Sequence, residues 1–464
     1  MIRFPAGFDG GDRIKRYLDY YQPSYGVMML SAGQFSPASL FAAGEQGAWY
    51  DPSDFSTMFQ DAVGTTPVTA VEQPVGLLLD KSGRDNHASQ STPASRPVLS
   101  ARVNLLTQTE NFSSADWVPY NVSKTAGSLT LTGTSGGASQ PKALTTGVPY
   151  RFECQIKKGT NNFAFLNIQG SSVYATAVFD VNSGVPGETK FSGAGFAVSS
   201  LSVSGPDADG YYTCGATLIP GTASVAIVGF AAAATGNTFD AFGNPTGCTN
   251  GNTLLVRKAD LRVTNDGVGL PAYQAVVTST NYSTSGFPLY LRFDGSNDAL
   301  VSSAVDFSST SAVSVWAGVR KISDAARATV IELTASAAAN NGAFQLTAPN
   351  AASATYAFES KGTVLTDAVA STGVAAPITS VLTGLASISV PSNILQVNGA
   401  QVNSDTGSQG TGNYANAALY IGARGGTSQP FNGRVYTIIV RGAASTTSEI
   451  VDTNAWVNNL TAAY

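Results

Sequence analysis

Leu289-Tyr290-Leu291-Arg292-Phe293-Asp294-Gly295-Ser296-Asn297-Asp298 reads as a strand running into a tight polar turn. Aromatic and branched side chains carry the first half, and Asp, Gly and Asn the second. Gly supplies positive φ cheaply there, and Asp and Asn cap their own backbone. The same grammar occurs far upstream. Pro74 to Leu79 reads as a strand, and Asp80-Lys81-Ser82-Gly83-Arg84-Asp85-Asn86 as the turn after it. Downstream, Val313-Ser314-Val315-Trp316-Ala317-Gly318-Val319 alternates as a half-buried strand should.

Working outward, further strands are expected at Thr329 to Leu333, Ala343 to Leu346, Thr355 to Phe358, Ile388 to Val390, Ala418 to Gly422 and Gly433 to Val440. Thr446 to Leu460 reads as a terminal helix. Thr446 and Glu449 fit a capping box, with Ile450, Val457 and Leu460 turned toward a sheet. The middle of the chain predicts strands at Ser128 to Thr132, Tyr150 to Lys157, Phe163 to Ile168, Ala175 to Val181, Tyr211 to Ile219, Ser224 to Phe230 and Leu254 to Val263. Asn265 to Gly286 then reads as a linker. About eight strands with close turns suggest a sandwich of their own.

Composition supports an antiparallel all-β chain. At 464 residues, two or three domains are expected. Hydrophobic residues make up 43 % and charged residues only 12 %, with 48 glycines; disorder would need the opposite balance. The net charge is −5 and no basic stripe occurs, which argues against nucleic acid. No run reaches the length of a membrane span, and MIRFPAGFDGGD lacks the apolar stretch of a signal peptide. Synthesis in a cytoplasm is therefore expected. Cys154, Cys214 and Cys248 form no CxxC pair and read as buried thiols rather than a disulfide framework.

Residues 1–45 read as an attachment segment. Asp12 to Tyr21 could form a short helix, stopped by Pro23. Tyr17, Tyr20, Tyr21 and Tyr25 are more aromatic surface than so short a stretch can bury, so they are the candidate anchoring residues.

Two pieces carry a family resemblance. Trp49-Tyr50-Asp51-Pro52-Ser53-Asp54 with Leu79-Asp80-Lys81-Ser82-Gly83-Arg84-Asp85-Asn86-His87 resembles the opening of the concanavalin A-like, laminin-G-like jelly rolls of tailed-bacteriophage structural proteins. Leu291 to Leu300, Phe431-Asn432-Gly433-Arg434-Val435-Tyr436 and the closing helix resemble the remainder. In simpler members the counterpart of Arg96-Pro97 runs almost directly into that of Tyr290. The resemblance thus implies an insertion, and the insert, from Asn104-Leu105-Leu106 through Asp209-Gly210-Tyr211-Tyr212, is similar to carbohydrate-binding-module jelly rolls.

The expected fold is all-β. Two antiparallel β-sandwich (jelly-roll) domains, one inserted in the other, follow an N-terminal anchoring segment and end in a short C-terminal helix. The domains are 1–45, the discontinuous sandwich 46–100 plus 287–464, and the insert with its linker, 101–286.

Catalysis is not expected. The one histidine, His87, lies in a polar turn, and no GxSxG, HExxH or P-loop pattern occurs. The local acidic pairs, Asp207/Asp209 and Asp294/Asp298, sit in turns where Asp caps backbone. No cofactor is expected, although Asp294, Asn297 and Asp298, or Asp80, Asp85 and Asn86, offer the hard oxygens that a structural calcium would take. Trp49, Trp117, Trp316 and Trp456 read as core. Tyr414 and Arg424, flanking the strand near Tyr420, are the candidate ligand-binding residues.

By resemblance, the chain is expected to be a virion structural protein, a tail fibre or receptor-binding protein presenting lectin-like domains to a host-surface glycan. Residues 1–45 would bind other virion proteins, and a homo-oligomer, favoured as a trimer, is expected. Alternatives are a capsid decoration or head-fibre protein, a tailspike glycosidase, and a cellular adhesin.

Overall fold

Strands from before and after the middle of the chain share the same sheets. A computed structural model describes residues 35–464 apart from 222–223, 267–268 and 370–372. Tyr17, Tyr20, Tyr21 and Tyr25, and the helix expected from Asp12 to Tyr21, lie outside the described residues.

The outer sandwich has an eight-stranded and a nine-stranded antiparallel sheet. In the eight-stranded sheet the order is Ala400–Asp405, Ser392–Val397, Ile378–Ser387, Ala312–Lys321, Asn432–Arg441, Tyr290–Asp294, Val98–Ser100. Gly47–Tyr50 also pairs with Asn432–Arg441, along Ile438 to Arg441, while Tyr290–Asp294 takes its other half, Asn432 to Val435. The nine-stranded sheet runs Met58–Phe59, Leu77–Leu78, Ala88–Ser89, Leu300–Asp306, Asn416–Ile421, Thr329–Leu333, Ala343–Thr347, Ala357–Lys361, Leu365–Val369. Their facing sides form one core in which Tyr50, Leu78 and Leu99 meet Phe293, Val315, Phe344 and Phe358. Two glycines let the layers close. A Cβ at Gly384 would lie 2.5 Å from the Phe358 ring, and one at Gly422, at φ +82°, would lie 2.1 Å from Phe293.

The helix Thr447–Thr461 covers the other face of the eight-stranded sheet. Its capping box is formed: the Thr446 hydroxyl accepts from the Glu449 amide at 3.3 Å, and Glu449 accepts from the Thr446 amide at 2.7 Å. Val457 is buried with Trp316, Ile439, Leu40 and Phe41, and Trp456 meets Trp49 edge-on at 5.5 Å. Leu460 instead lines a surface cleft beside Phe287. Ala312–Lys321 is thus buried on both faces, which explains its near-continuous apolar run. Phe35, Leu40 and Phe41, expected within the attachment segment, pack on this chain's own sandwich.

The middle of the chain folds as two six-stranded sheets. One runs Val185–Ser192, Tyr174–Asp180, Phe163–Gln169, Ser224–Phe230, Gly137–Lys142, Val118–Tyr120. The other runs Ala197–Ser204, Tyr212–Ile219, Tyr150–Lys158, Thr253–Val263, Ser128–Leu131, Val122–Lys124. They enclose a separate core around Trp117, Phe152, Leu166, Phe179 and Phe230.

The neck between the sandwiches is polar and satisfied. The Asn104 amide donates to Ala259 O and Gln274 O and accepts from the Leu106 and Leu261 amides. Gln274 bonds Val103, Asn104, Ala101 and Ser283 in the same way. Glu72 of the outer sandwich accepts from Ser100 Oγ and Tyr282 OH, both at 2.6 Å. Asn265 to Gly286 is therefore no free linker: Leu270, Val276, Tyr282 and Phe287 pack with Ala101 and Val103.

Other local expectations shift. Ile388 to Val390 is a turn, with Val390 73 % exposed, because Ile378–Ser387 and Ser392–Val397 form a hairpin around it. The Thr355 strand begins at Ala357, and the Pro74 strand reduces to Leu77–Leu78 with one bridge from Pro74 to Val98.

Candidate functional site

A single transverse row crosses the nine-stranded sheet on its face away from the core. Tyr420 pairs with Glu332, Glu332 with Gln345, Gln345 with Glu359, and Glu359 with Asp367. Side chains alternate along a strand, and register partners share a face. Leu419, Leu333, Phe344, Leu346, Phe358 and Ala368 therefore fill the core, and the row points the other way.

Two guanidinium groups roof the row. Arg424 donates to Gln345 Oε1 at 2.5 Å, its Nε lies 3.3 Å from Glu332, and its Nη2 lies 3.9 Å from Glu359. Arg327 donates to Gln345 Oε1 at 2.7 Å and pairs with Glu359. Beneath them the Gln345 amide donates to Thr329 Oγ1 at 2.6 Å and Gln429 Oε1 at 3.0 Å. Glu332 and Gln345 are fully buried, and Glu359 is 3 % exposed. Burial pushes the Glu332 carboxyl above its usual range, against the Ala337 amide and Arg424, which pull it down. Partial burial and then the neighbouring Glu359 charge push Asp367 up to about 6.

Two polar atoms of the row are buried without a hydrogen-bond partner, Glu359 Oε2 and Arg327 Nε. One is an acceptor and the other a donor, on side chains already paired with each other. Both atoms lie out of solvent beneath the paired side chains, and Asp367, whose carboxyl is raised, shares a side-chain hydrogen bond with Glu359.

Of the two expected ligand-binding residues, Arg424 lies in this row and Tyr414 does not. Tyr414 is 1 % exposed, its ring packs edge-on against Phe344, and its hydroxyl pairs with Ser360 at 2.6 Å on the core side. It offers no face to a ligand. Glu332, Gln345, Glu359 and Asp367 went unread because each stands alone in its strand; only the register brings them together.

The other candidates resolve into turns and core. Asp80 accepts from the Trp49, Ser82 and Asn86 amides and from Ser82 Oγ, and His87 Nδ1 accepts from the Asp80 amide at 3.0 Å. Asp298 accepts from the Asp294 amide, and Asp294 from Ser296 and Asn297. Asp207 and Asp209 both pair with Arg257, at 2.6 and 2.9 Å. Among the described residues, no group of three or more His, Cys, Asp or Glu side chains is placed to hold a metal ion. Trp117 and Trp316 are fully buried, and the three cysteines are free and buried.

No protein-family description matches the chain, and no curated protein matches it. Among solved structures it is similar to the CBM40 of the Ruminococcus gnavus IT-sialidase bound to alpha2,3 sialyllactose, at 14 % identity over 31 % of this chain and 83 % of that one, TM-score 0.26. It is also similar to the binding domain of botulinum neurotoxin DC in complex with SialylT, at 11 % identity over 38 % of this chain and 43 % of that one, TM-score 0.29. A third likeness is to the NanB sialidase from Streptococcus pneumoniae (K499G mutant), at 18 % identity over 35 % and 26 %, TM-score 0.26.

Proposed function

We propose that the chain is a glycan-binding structural protein of a tailed-phage particle, in which the outer sandwich reads sugar hydroxyls through the row from Tyr420 to Asp367. The observation that carries the binding half is the aligned polar row itself, on the face of the sheet away from the core, with Arg424 and Arg327 over it and Tyr420 half-buried at its end. Two arginines face three carboxylates, Glu332, Glu359 and Asp367, so the row disfavours an anion and suits a neutral, hydroxyl-rich ligand. The half-buried Tyr420 ring gives an apolar sugar face somewhere to lie.

The virion half is supported by the sequence resemblance in the two outer segments. On that reading residues 1–45 attach the protein to the particle, tail favoured over capsid surface, and the sandwiches face the host. The protein acts by binding and carries out no chemistry.

Titration of the full chain with neutral oligosaccharides from the host envelope tests the binding half. Arg424→Ala and Glu359→Gln should each weaken binding tenfold or more while the melting transition stays cooperative. Unchanged affinity in both variants would overturn the site. A hydrolytic reading has one observation in its favour, the raised Glu332 carboxyl two strands from Glu359. Release of reducing ends by the wild type and not by Glu332→Gln would replace binding with catalysis. Labelling of the protein on intact particles tests the virion half.

A further inference from the structure

We infer that the inserted sandwich carries an interface for a second copy of this chain: the free edge of Ala197–Ser204, along which two protomers pair antiparallel about a twofold axis at Ser202. The strand ends its six-stranded sheet and pairs only with Tyr212–Ile219. Along its other side, residues 197–204 make no backbone hydrogen bond among the described residues. Such an open row of N–H and C=O groups is a template for another strand. The register against Tyr212–Ile219 shifts between Val198 and Ser200, and from Ser200 to Ser204 it is regular.

The other three sheet edges of the inserted sandwich are blunted. Val185–Ser192 carries Pro186 and Lys190, and its Glu188 amide donates to Ala234 O at 2.9 Å. Val118–Tyr120 has Pro119 at its centre, and Val122–Lys124 is three residues long and ends in a lysine. Proline, lysine and shortness all guard an edge against pairing. Ser200 to Ser204 has no proline and no charge.

The occupant follows from symmetry. Ser200-Leu201-Ser202-Val203-Ser204 reads nearly the same in both directions. A half turn at Ser202 sets Ser202 opposite itself, Ser200 opposite Ser204, and Leu201 opposite Val203. Leu201 and Val203 are half-buried at the rim of the insert's core, so their pairing continues apolar surface across the joint. The serines take the outer face: Ser200 donates to Thr217 Oγ1 at 2.8 Å, and Ser202 accepts from Arg151. Arg151 is itself paired with Glu153 at 2.8 Å, so the axis brings no unbalanced charges together. Phe191, 55 % exposed on the edge strand packed alongside, adds apolar surface on the same side of the sandwich. A foreign strand would have to bring a matching sequence, whereas a second copy brings it by symmetry.

The test is sedimentation equilibrium of the full chain together with cross-linking at the axis. The wild type should form dimers reversibly. Ser202→Lys, which sets two lysines side by side on the axis, should raise the dissociation constant tenfold or more while melting stays cooperative. Ser202→Cys should cross-link to itself through a short bismaleimide, since the native thiols are buried. Ser123→Cys, on the opposite edge of the same sheet, should not. A chain that stays monomeric into the high micromolar range, or an assembly that survives Ser202→Lys and yields no Ser202→Cys cross-link, would overturn the proposal. Where the two variants disagree, or Ser202→Lys fails to fold, the cross-link decides.

Discussion

Asp266 accepts two hydrogen bonds from Arg434, each at 2.8 Å, across the joint between the two sandwiches. Arg320, 1 % exposed, stands behind the pair at 3.7 Å and bonds Asn265 from the same segment. Breaking a buried ion pair from one side leaves a charge stranded and costs about 3–5 kcal/mol. Asp266→Ala should therefore lower chemical-denaturation stability by about that amount; a loss under 1 kcal/mol would show that water relieves the joint.

The same pair sets an acid limit. Burial works to raise the Asp266 carboxyl, but Arg434 and Arg320 outweigh it and hold it below its ordinary value. A depressed carboxyl stabilises the fold above its unfolded-state pKa, about 3.9, and that stability fades as pH falls through the lower folded value. Melting temperature should drop below about pH 4 in the wild type, and less steeply in Asp266→Asn.

Removing residues 101–286 with a short join strands Arg320 and Arg434 without Asp266. The shortened protein should fold, because Ser100 and Tyr290 are register partners, but with reduced stability. Changing both arginines to Met in that background should restore a few kcal/mol. Failure of the double change to raise the melting temperature would count against the charge explanation.

Asp367 carries the pH response of the polar row. Its carboxyl is raised, so its contribution is fully present below its unfolded pKa and is lost as pH rises through about 6, where a charge must form beside Glu359. Sugar affinity at the row should fall between pH 5 and 7, and Asp367→Asn should flatten that profile. Asp298 titrates in the same range, near 6, so the difference between the two profiles is the measure.

The thiols should be silent in the native state. Cys154 and Cys214 are cross-strand partners in the core, and burial raises both; burial pushes Cys248 up to about 11. A thiol reagent at pH 8 should label no cysteine in the folded protein and all three in denaturant. Rapid native labelling would mean that the inserted core opens locally.

Strand positions were legible wherever alternation was strong, as at Tyr150–Lys158 and Ala312–Lys321. They were illegible where the strand buries little. Val185–Ser192 is an exposed edge strand reading Val-Pro-Gly-Glu-Thr-Lys-Phe-Ser, and nothing apolar repeats in it. Ile378–Ser387 was missed for the opposite reason: it is buried on both faces, so the alternation that marks a strand is erased. Arg424 drew notice as a cation in a loop-rich stretch. Its partners were invisible because pairing between distant strands is set by register, which composition does not encode. Tyr414 misled because a buried tyrosine with a satisfied hydroxyl and an exposed one read alike in one dimension.

Ser100 and Tyr290 sit side by side in one sheet although the whole inserted sandwich separates them in sequence. The outer sandwich meets its guest at these two adjacent backbone positions, at the apolar cluster of Val276, Tyr282 and Phe287, at Glu72 and at the Asp266–Arg434 pair. A replacement domain would need ends that emerge next to each other, an acid for Arg434, a donor for Glu72 and an apolar patch to meet Val71 and Leu289. A domain that meets those terms can be exchanged as a whole cassette while the outer sandwich keeps its sequence.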